Sequence, residues 1–231
     1  MPLDGQGKDP LRADLHIHSR HSPDSSLEPR EIAKLAKSRG LAAVALTDHN
    51  SVGGHGAMRE ACAAEGLLFL PGVEVTSQDG HILAYGVSQA PRQGRSAPET
   101  IEEIHAFGGI ASAAHPERVY TGLSAAVVRA AKFDAVEAFN SQSAEHHNAK
   151  ARAVAEELRL PVTGGSDAHA PFRVSLGYLF LELDAESPDA AIAQILKGRN
   201  RAEGVRPRFG AVFARSVDTA ARWVVRGGRR L

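Results

Sequence analysis

The chain has 231 residues, and its 43% hydrophobic and 23% charged residues are typical of a globular protein with a sizeable core, which excludes a disordered chain. Because 27 basic residues balance 27 acidic ones, no overall charge attracts the protein to nucleic acid or anionic lipid. The single cysteine, Cys62, excludes an internal disulfide and a multi-cysteine zinc site. No signal-peptide core and no apolar run of roughly 20 residues are found, so we expect a cytoplasmic protein without a transmembrane segment.

Strand and helix patterns alternate from the first strand onward. Residues 1–12 form a polar leader, and the first strand is predicted at 13–17. Residues 28–40 carry apolar residues at helical spacing, open with Pro29 and close on Gly40, which predicts an amphipathic helix. The run LAAVAL at 41–46 lacks polar alternation and therefore predicts a strand covered on both faces.

The alternation continues as far as residue 198. We predict further helices near 54–65, 97–107, 121–132, 143–159 and 187–198, and strands near 67–75, 81–87, 109–116, 134–140, 160–169 and 177–183. Strands separated by helices pair in parallel, and about seven such units fit a closed or nearly closed barrel. The prediction is therefore one α/β domain over residues 13–200.

The composition changes after Arg199, where arginine and glycine become frequent. Residues 201–231 are predicted as an appendage whose segment RSVDTAARWVVRGGRRL forms a helix, with Trp223 and Val224 packed on the barrel and the arginines in solvent. Contact with a membrane surface or with nucleic acid is the alternative interpretation of this segment.

The first chemical motif, DLHIHS, lies at residues 14–19 on the predicted first strand. Residues two apart on a strand share a face, so His16 and His18 can present two nitrogens to one metal ion. The pair alone is a weak signal, because two histidines can also be polar residues on a half-exposed face.

Further histidines and carboxylates stand at the ends of later strands: His49, Glu74, His81, His115, Asp167 and His169. Unrelated histidines would not fall repeatedly at the edge where α/β barrels carry their sites, so we infer one site. Ligands of this kind, without thiolates, suit two or three divalent ions of Zn, Mn or Fe. A further carboxylate, Asp24, lies in the loop HSRHSPDSS and is equally well interpreted as a ligand or as a turn or helix-cap aspartate.

The motifs DLHIHS, TDHN, GVEVT, AHPE and GSDAHA occur in this order between about residues 13 and 200, and together they resemble the PHP family, the polymerase and histidinol phosphatase domain superfamily. The resemblance implies a distorted (β/α)7 barrel with a trinuclear metal site at the carboxyl edge of its strands. It also implies three sets of ligands: His16, His18, Glu74 and Asp167; bridging Glu74 with His81 and His115; and Asp24, His49 and His169.

Other polar residues near the motifs are candidates for supporting roles. Arg118 and Arg173 follow His115 and His169 and are candidates for binding a substrate phosphate, although loop arginines are usually just solvated. Asp48, Asn140 and Ser166 are candidates for orienting ligand imidazoles, or for strand-end and turn hydrogen bonds. The remaining five histidines are predicted at the surface: His21, His55, His105, His146 and His147.

The predicted reaction is hydrolysis of a phosphate ester by a hydroxide that bridges two metal ions, so no side chain is predicted as the nucleophile. Three divalent ions exceed three carboxylates and one hydroxide by about two positive charges, an excess that a phosphate monoester dianion meets. We therefore predict a phosphoesterase that acts on a small metabolite or nucleotide phosphate, with no obligate protein partner evident.

Two alternatives remain open. A 3′–5′ nuclease acting on oligonucleotide ends would need a basic track, which only the C-terminal arginines offer. A metal-stabilised binding domain without turnover would lack some of the metal ligands, whereas the ligand set predicted in this sequence is complete.

Overall fold

The computed structural model describes residues 10–181 and 187–206, which form one nine-stranded sheet flanked by helices. The strands are β1 (Leu11–Asp14), β2 (Ala43–Leu46), β3 (Leu68–Thr76), β4 (His81–Tyr85), β5 (Ile110–Ala113), β6 (Ala135–Asn140), β7 (Val162–Gly165), β8 (Gly177–Leu181) and β9 (Arg201–Gly204). The helices are α1 (Pro29–Ser38), α2 (His55–Glu65), α3 (Ala97–Ala106), α4 (Ala125–Ala130), α5 (Glu145–Leu158) and α6 (Pro188–Leu196), with a short 3-10 turn at Pro171–Arg173. Each helix and strand predicted as far as residue 198 has a counterpart among them.

The sheet curves into a nearly closed barrel. Its strand order is β7-β6-β5-β4-β3-β2-β1-β8-β9. The chain just beyond β1 meets the chain at β7, because the backbone nitrogen of Leu15 donates to Gly164 O at 3.3 Å and that of His18 donates to Ala168 O at 3.0 Å. The predicted barrel-like α/β fold is thereby confirmed.

The direction of pairing departs from the prediction at two strands, β4 and β8, and β8 is antiparallel to β1. The pairs β1–β2, β2–β3, β5–β6 and β6–β7 are parallel, whereas β4 is antiparallel to both β3 and β5 although α3 lies between β4 and β5. The reason at β4 is the tight turn between β3 and β4, where Ser77 N donates to Gly80 O at 3.0 Å and reverses the chain. Gly80 has a φ of 141° and lies against the backbone of Leu123, so only glycine fits this turn.

The helices begin where the sequence supplies suitable residues. Pro29 opens α1, where its missing N–H needs no partner, and Ser96 and Glu99 form a capping box at the start of α3. Ile32 and Ala36 of α1 are buried against the sheet. None of the described helices has the length and apolarity that a membrane crossing requires.

One apolar cluster joins residues from different sides of the barrel, among them Leu15, just after β1, and the strand residues Leu70, Leu83 and Tyr85. The hydroxyl of Tyr85 donates to the backbone oxygen of Leu15 at 3.0 Å, although their strands do not pair. This contact requires the sheet to curve, and it fixes the chain that leads from β1 to the histidines of the first motif.

The predicted appendage is described only at its beginning. Its first residues, Arg201–Gly204, form β9, an edge strand antiparallel to β8. The predicted helix with Trp223 and Val224 lies outside the described residues. The division into a domain at 13–200 and an appendage at 201–231 stays a prediction.

Candidate metal centre

The nine side chains predicted as metal ligands lie together in four overlapping groups, which we call the cluster. Within each group the possible ligand atoms lie within 4.8 Å of one another. The groups are His18, Asp24, His49 and His169; His16, Glu74 and His115; His16, His18 and Asp167; and His49, Glu74 and His81. Every predicted ligand is therefore close enough to others to share a metal ion.

His16 and His18 follow β1 instead of lying within it. The strand ends at Asp14, and the chain then stays extended, with Ile17 paired in parallel with Ala168. The predicted strand boundary is wrong, yet the spacing of two residues still turns both rings to one side. Both histidines are buried, and their Nε2 atoms lie 3.1 Å apart.

For His16 and His169, the hydrogen bond made by Nδ1 shows that the other ring nitrogen, Nε2, faces the cluster. His16 Nδ1 lies 2.9 Å from Glu137 Oε1, and His169 Nδ1 lies 2.9 Å from the backbone oxygen of Asp167. A carboxylate or carbonyl oxygen only accepts, so each Nδ1 carries the proton. The lone pairs of both Nε2 atoms are left to face the cluster.

Ser22 and Asp48 fix the orientation of His18 in the same way. Ser22 Oγ donates to Asp48 Oδ1 at 3.1 Å and accepts the backbone N–H of His49 at 2.9 Å. Its remaining lone pair accepts from His18 Nδ1, 3.0 Å away, so His18 Nε2 also faces the cluster. Asp48, predicted to orient an imidazole, contacts His18 through Ser22.

Glu74 lies in the middle of the cluster, near the end of β3. Its Oε1 lies 2.8 Å from His81 Nδ1 and 2.9 Å from His115 Nε2. Its Oε2 lies 3.1 Å from His18 Nε2 and 3.2 Å from His16 Nε2. The two oxygens thus face two different sets of ring nitrogens, as in a carboxylate that bridges two metal ions.

Asp24, His49 and His169 form one partly exposed part of the cluster. Asp24 Oδ2 lies 2.9 Å from His169 Nε2 and 3.7 Å from His49 Nε2. The side chain of Asp24 is 15% exposed, compared with 1% for Glu74. These two ring contacts favour the interpretation of Asp24 as a ligand over that of a turn aspartate.

The two oxygens of Asp167 have different surroundings. Oδ1 lies 3.5 Å from His18 Nε2 and 3.4 Å from His169 Nδ1. Oδ2 accepts from Arg118 Nη1 at 2.6 Å and from Asn140 Nδ2 at 3.4 Å. Arg118 therefore contacts a predicted ligand, and 22% of its side chain remains exposed.

Glu137 on β6 is a buried functional candidate that the sequence analysis missed. Its Oε2 accepts the backbone N–H of His115 at 2.7 Å and the amide of Asn140 at 3.1 Å. Asn140, predicted to orient an imidazole, thus contacts carboxylates. The available signal is an acidic residue in the middle of the otherwise apolar run AVEAF, since a buried carboxylate needs partners.

Two other supporting residues differ from the prediction. Ser166 Oγ donates to the backbone oxygen of His16 at 3.4 Å, so it supports the chain rather than a ring. Arg173 is almost fully buried, and its guanidinium donates to Gln142 Oε1. Of the two arginines, Arg118 is therefore the one whose side chain is partly open to solvent.

His55 is a buried histidine outside the cluster, and its predicted place at the surface is wrong. Its Nε2 donates to the backbone oxygen of Gly72 at 2.8 Å, and its ring packs edge-on against Phe69. Burial lowers the pKa of His55. The ring is therefore a core group whose polar atom has a backbone partner.

Charges within the cluster shift several pKa values. Burial opposes the charged form of His16, but nearby carboxylates, Glu137 first, raise its pKa well above the usual value. Contacts with Asp167 and Glu74 outweigh burial at His18 and raise its pKa to about 9. Burial also opposes ionisation of both carboxylates, yet the neighbouring histidines hold their pKa values well below the usual range. The carboxylates therefore favour positive charge at His16 and His18, whereas burial lowers the pKa values of His115 and His169 to about 4.

Several buried atoms of the cluster have no hydrogen bond of normal geometry. In the described part of the chain they include Asp24 Oδ1, His49 Nδ1, His115 Nδ1 and His169 Nε2. A buried polar atom without a partner costs about 1–3 kcal/mol. Divalent cations fit this centre, because they would bind the unpartnered His169 Nε2 and the facing lone pairs of His16 and His18.

Comparison with known proteins agrees with this geometry. Residues 14–158 match the PHP domain family, and residues 145–200 match the PHP-associated family. An uncharacterised protein of Methanocaldococcus jannaschii is 37% identical over 116 residues, which are 46% of this chain and 68% of that protein. A 3′,5′-nucleoside bisphosphate phosphatase of Chromobacterium violaceum is 43% identical over 81 residues, 33% of this chain but only 28% of the phosphatase.

A solved structure shares the fold. It is a two-domain protein from Bacteroides vulgatus that contains a predicted PHP-like metal-dependent phosphoesterase. The two structures superpose with a TM-score of 0.72 at 20% identity, over 87% of this chain and 68% of the other. At this identity the likeness supports the barrel fold alone.

Proposed function

This chain belongs to the PHP domain family, and from that premise we propose that it is a metal-dependent phosphoesterase whose metal ions are held by the nine side chains of the cluster. The observation that carries the proposal is the position of Glu74, whose two oxygens face separate sets of ring nitrogens. Such a bridge suits two or three ions, of Zn, Mn or Fe. The domain at 13–200 would hold the whole centre.

The residues of the cluster have distinct tasks in this proposal. Bound divalent ions lower the pKa of water towards about 7 and offset the charge of phosphoryl oxygens. Glu74 would tie two ions together, while Asp24 and His49 would hold a third near solvent. His16, His18 and His169 each present Nε2, because Nδ1 of each donates to a protein oxygen.

Arg118 is the candidate for contact with the phosphate. One guanidinium nitrogen holds Asp167, and Nε donates to Thr121 Oγ1 at 3.0 Å, so the side chain is fixed beside the cluster. Its partly exposed guanidinium can donate to a phosphoryl oxygen while it keeps Asp167 in place.

A small phosphorylated metabolite or nucleotide is the substrate class that we propose. The Chromobacterium relative is named for action on a nucleoside bisphosphate, which supports a phosphate monoester of this size. The opposite charges of Glu137 and Arg118 cancel, so they leave unchanged the excess of about two positive charges expected with three divalent ions. A phosphate dianion balances that excess.

A substrate screen tests the proposal. Protein of measured metal content would be incubated with sugar phosphates, nucleotides, histidinol phosphate and short oligonucleotides, and released phosphate or shortened strands would be measured. We expect the wild-type protein to release phosphate from at least one small ester, and the His16→Ala variant to release none. Shortened oligonucleotides without release from small esters would indicate the nuclease instead.

The non-catalytic alternative has its own outcome in the same screen. If metal-loaded protein hydrolyses nothing, while chelation lowers its melting temperature, the cluster stabilises the fold without turnover. That combination would overturn the proposed activity and leave the metal centre intact.

A further inference from the structure

One buried carboxylate, Glu137, contacts predicted ligands from two different sets. Oε1 meets Nδ1 of His16 at 2.9 Å, and Oε2 meets the backbone nitrogen of His115 at 2.7 Å. We propose that Glu137 is a positioning residue that selects the nitrogen of His16 that faces the metal ions and holds the backbone of His115 in its unusual conformation. The inference rests on the proposed metal centre.

The effect on His16 follows from the chemistry of the imidazole. A neutral ring has one N–H and one lone pair, and ionised Glu137 can only accept. The proton is therefore placed on Nδ1, and the lone pair on Nε2 faces Glu74 at 3.2 Å. A carboxylate behind a ligand ring also increases its basicity and fixes its plane.

The effect on His115 concerns the main chain. Its φ is 28°, within the left-handed region that residues with a side chain seldom adopt. In this conformation its N–H points to Glu137 while its ring Nε2 lies 2.9 Å from Glu74. The hydrogen bond from the N–H therefore secures the backbone angle that brings the ring into the cluster.

The fold holds Glu137 where it can serve both ligands. The pairing of β6 with β7 shifts register between Glu137 and Phe139, and such bulges redirect side chains next to functional sites. Asn140, three residues further along β6, donates to the same Oε2 at 3.1 Å. Both oxygens of the carboxylate are thus occupied, and the side chain is fully buried.

Glutamine at this position would preserve shape but not chemistry. Its single oxygen can accept from His16 or from the His115 N–H, while its NH2 group would face the other partner. If the NH2 faces His16, the ring must move its proton to Nε2 and loses the lone pair that binds metal. If the NH2 faces His115, that group and the backbone N–H of His115 are both donors, and no hydrogen bond forms between them.

Metal affinity tests this role. Metal-depleted wild type and Glu137→Gln would be titrated with Zn²⁺ alone in competition with a chromophoric chelator. We expect the variant to bind Zn²⁺ about 10–100-fold more weakly. Ser112→Ala serves as the control and should keep wild-type affinity. It removes a buried hydroxyl on β5 that is hydrogen-bonded to Thr163 on β7, on either side of β6.

A spectroscopic measurement on wild-type protein tests the same role without any variant. In Zn²⁺-loaded protein labelled with ¹⁵N, long-range proton–nitrogen spectra should show His16 protonated on Nδ1, with that proton protected from exchange. A His16 ring protonated on Nε2 would overturn the proposal even if Glu137→Gln failed to fold.

The outcomes separate this inference from the proposed function. Equal affinity in wild type and Glu137→Gln, or an equal loss in Ser112→Ala, would overturn the role of Glu137 alone. Wild type that binds no Zn²⁺ would overturn the metal centre itself.

Discussion

The two sides of the metal centre are built differently. The inner side, formed by His16, His115 and Asp167, is fully buried, and its groups are held by the charged side chains Glu137 and Arg118. The outer side, formed by Asp24, His49 and His169, is partly exposed. On this side His169 Nδ1 donates to a backbone oxygen, and the backbone N–H of His49 donates to the hydroxyl of Ser22.

This difference indicates unequal affinity for metal. Buried ligands with charged partners are preorganised and poorly screened by water, so the inner side should hold its ions tightly. The outer side has neutral partners and borders solvent, where an ion can exchange and a substrate can enter. We therefore expect removal of an inner ligand to abolish activity and removal of an outer ligand to weaken it.

The largest effect should follow Asp167→Asn on the inner side. The amide removes one negative charge and turns a donor towards either the cluster or Arg118, which itself donates to Oδ2. We expect kcat/KM to fall at least about 100-fold with little loss of folded protein. Asp134→Asn is a matched control, because its carboxylate accepts from His105 and the backbone of Ala111 away from the cluster. Wild-type activity in Asp167→Asn would contradict the assignment of this ligand.

The same chemical change at Asp24 should have a smaller effect. Among the described residues, the rings within 4 Å of its carboxylate are the outer ones, His169 at 2.9 Å and His49 at 3.7 Å. We expect about 10-fold weaker binding of one ion and one ion fewer per chain at limiting free metal, measured by elemental analysis. Loss of all bound metal in Asp24→Asn would show that the two sides do not differ as described.

Arg118→Ala should raise KM for a phosphate ester about tenfold, because a hydrogen bond from a charged group to phosphate is removed. Arg118→Lys keeps the charge without the two-bond geometry and should lie between the alanine variant and wild type. If Arg118→Ala instead weakens metal binding and leaves KM unchanged, the arginine serves the inner ligand and not the substrate.

The smallest effect is expected for Ser22→Ala, which removes the hydroxyl between His18 and Asp48. We expect Zn²⁺ affinity to fall by about tenfold or less, since the ring keeps its place in the chain. Ser25→Ala removes a hydroxyl of the same loop that donates to the backbone oxygen of His18. A loss in Ser25→Ala as large as in Ser22→Ala would mean that loop order, not ring orientation, matters.

Most of the candidate ligands could be predicted because they carry a local signal, whereas the loop position of Asp24 left two interpretations open. His16 and His18 are two residues apart, and the later ligands recur at strand ends, where a parallel barrel brings distant segments together. The family resemblance then grouped them, and the structure places all nine in one cluster.

Other features depend on contacts that no local pattern contains. Glu137 is one acidic residue in an apolar strand, and only the fold shows that its two oxygens reach ligands from different strands. The reversal at Gly80 makes β4 antiparallel, which the alternation of helices and strands does not reveal. His55 can be buried because a backbone oxygen of β3 accepts a hydrogen bond from its Nε2. The packing of α2 brings the two groups together.

Stepwise metal loading tests the central claim most directly. Metal-depleted wild type would receive increasing equivalents of Zn²⁺, Mn²⁺ or Fe²⁺, and phosphate release from the substrate panel would be measured against bound metal per chain. We predict no hydrolysis in the depleted protein and onset only when at least two ions are bound, as a bridging Glu74 requires. Full activity without bound metal, or none at any loading, would contradict the account.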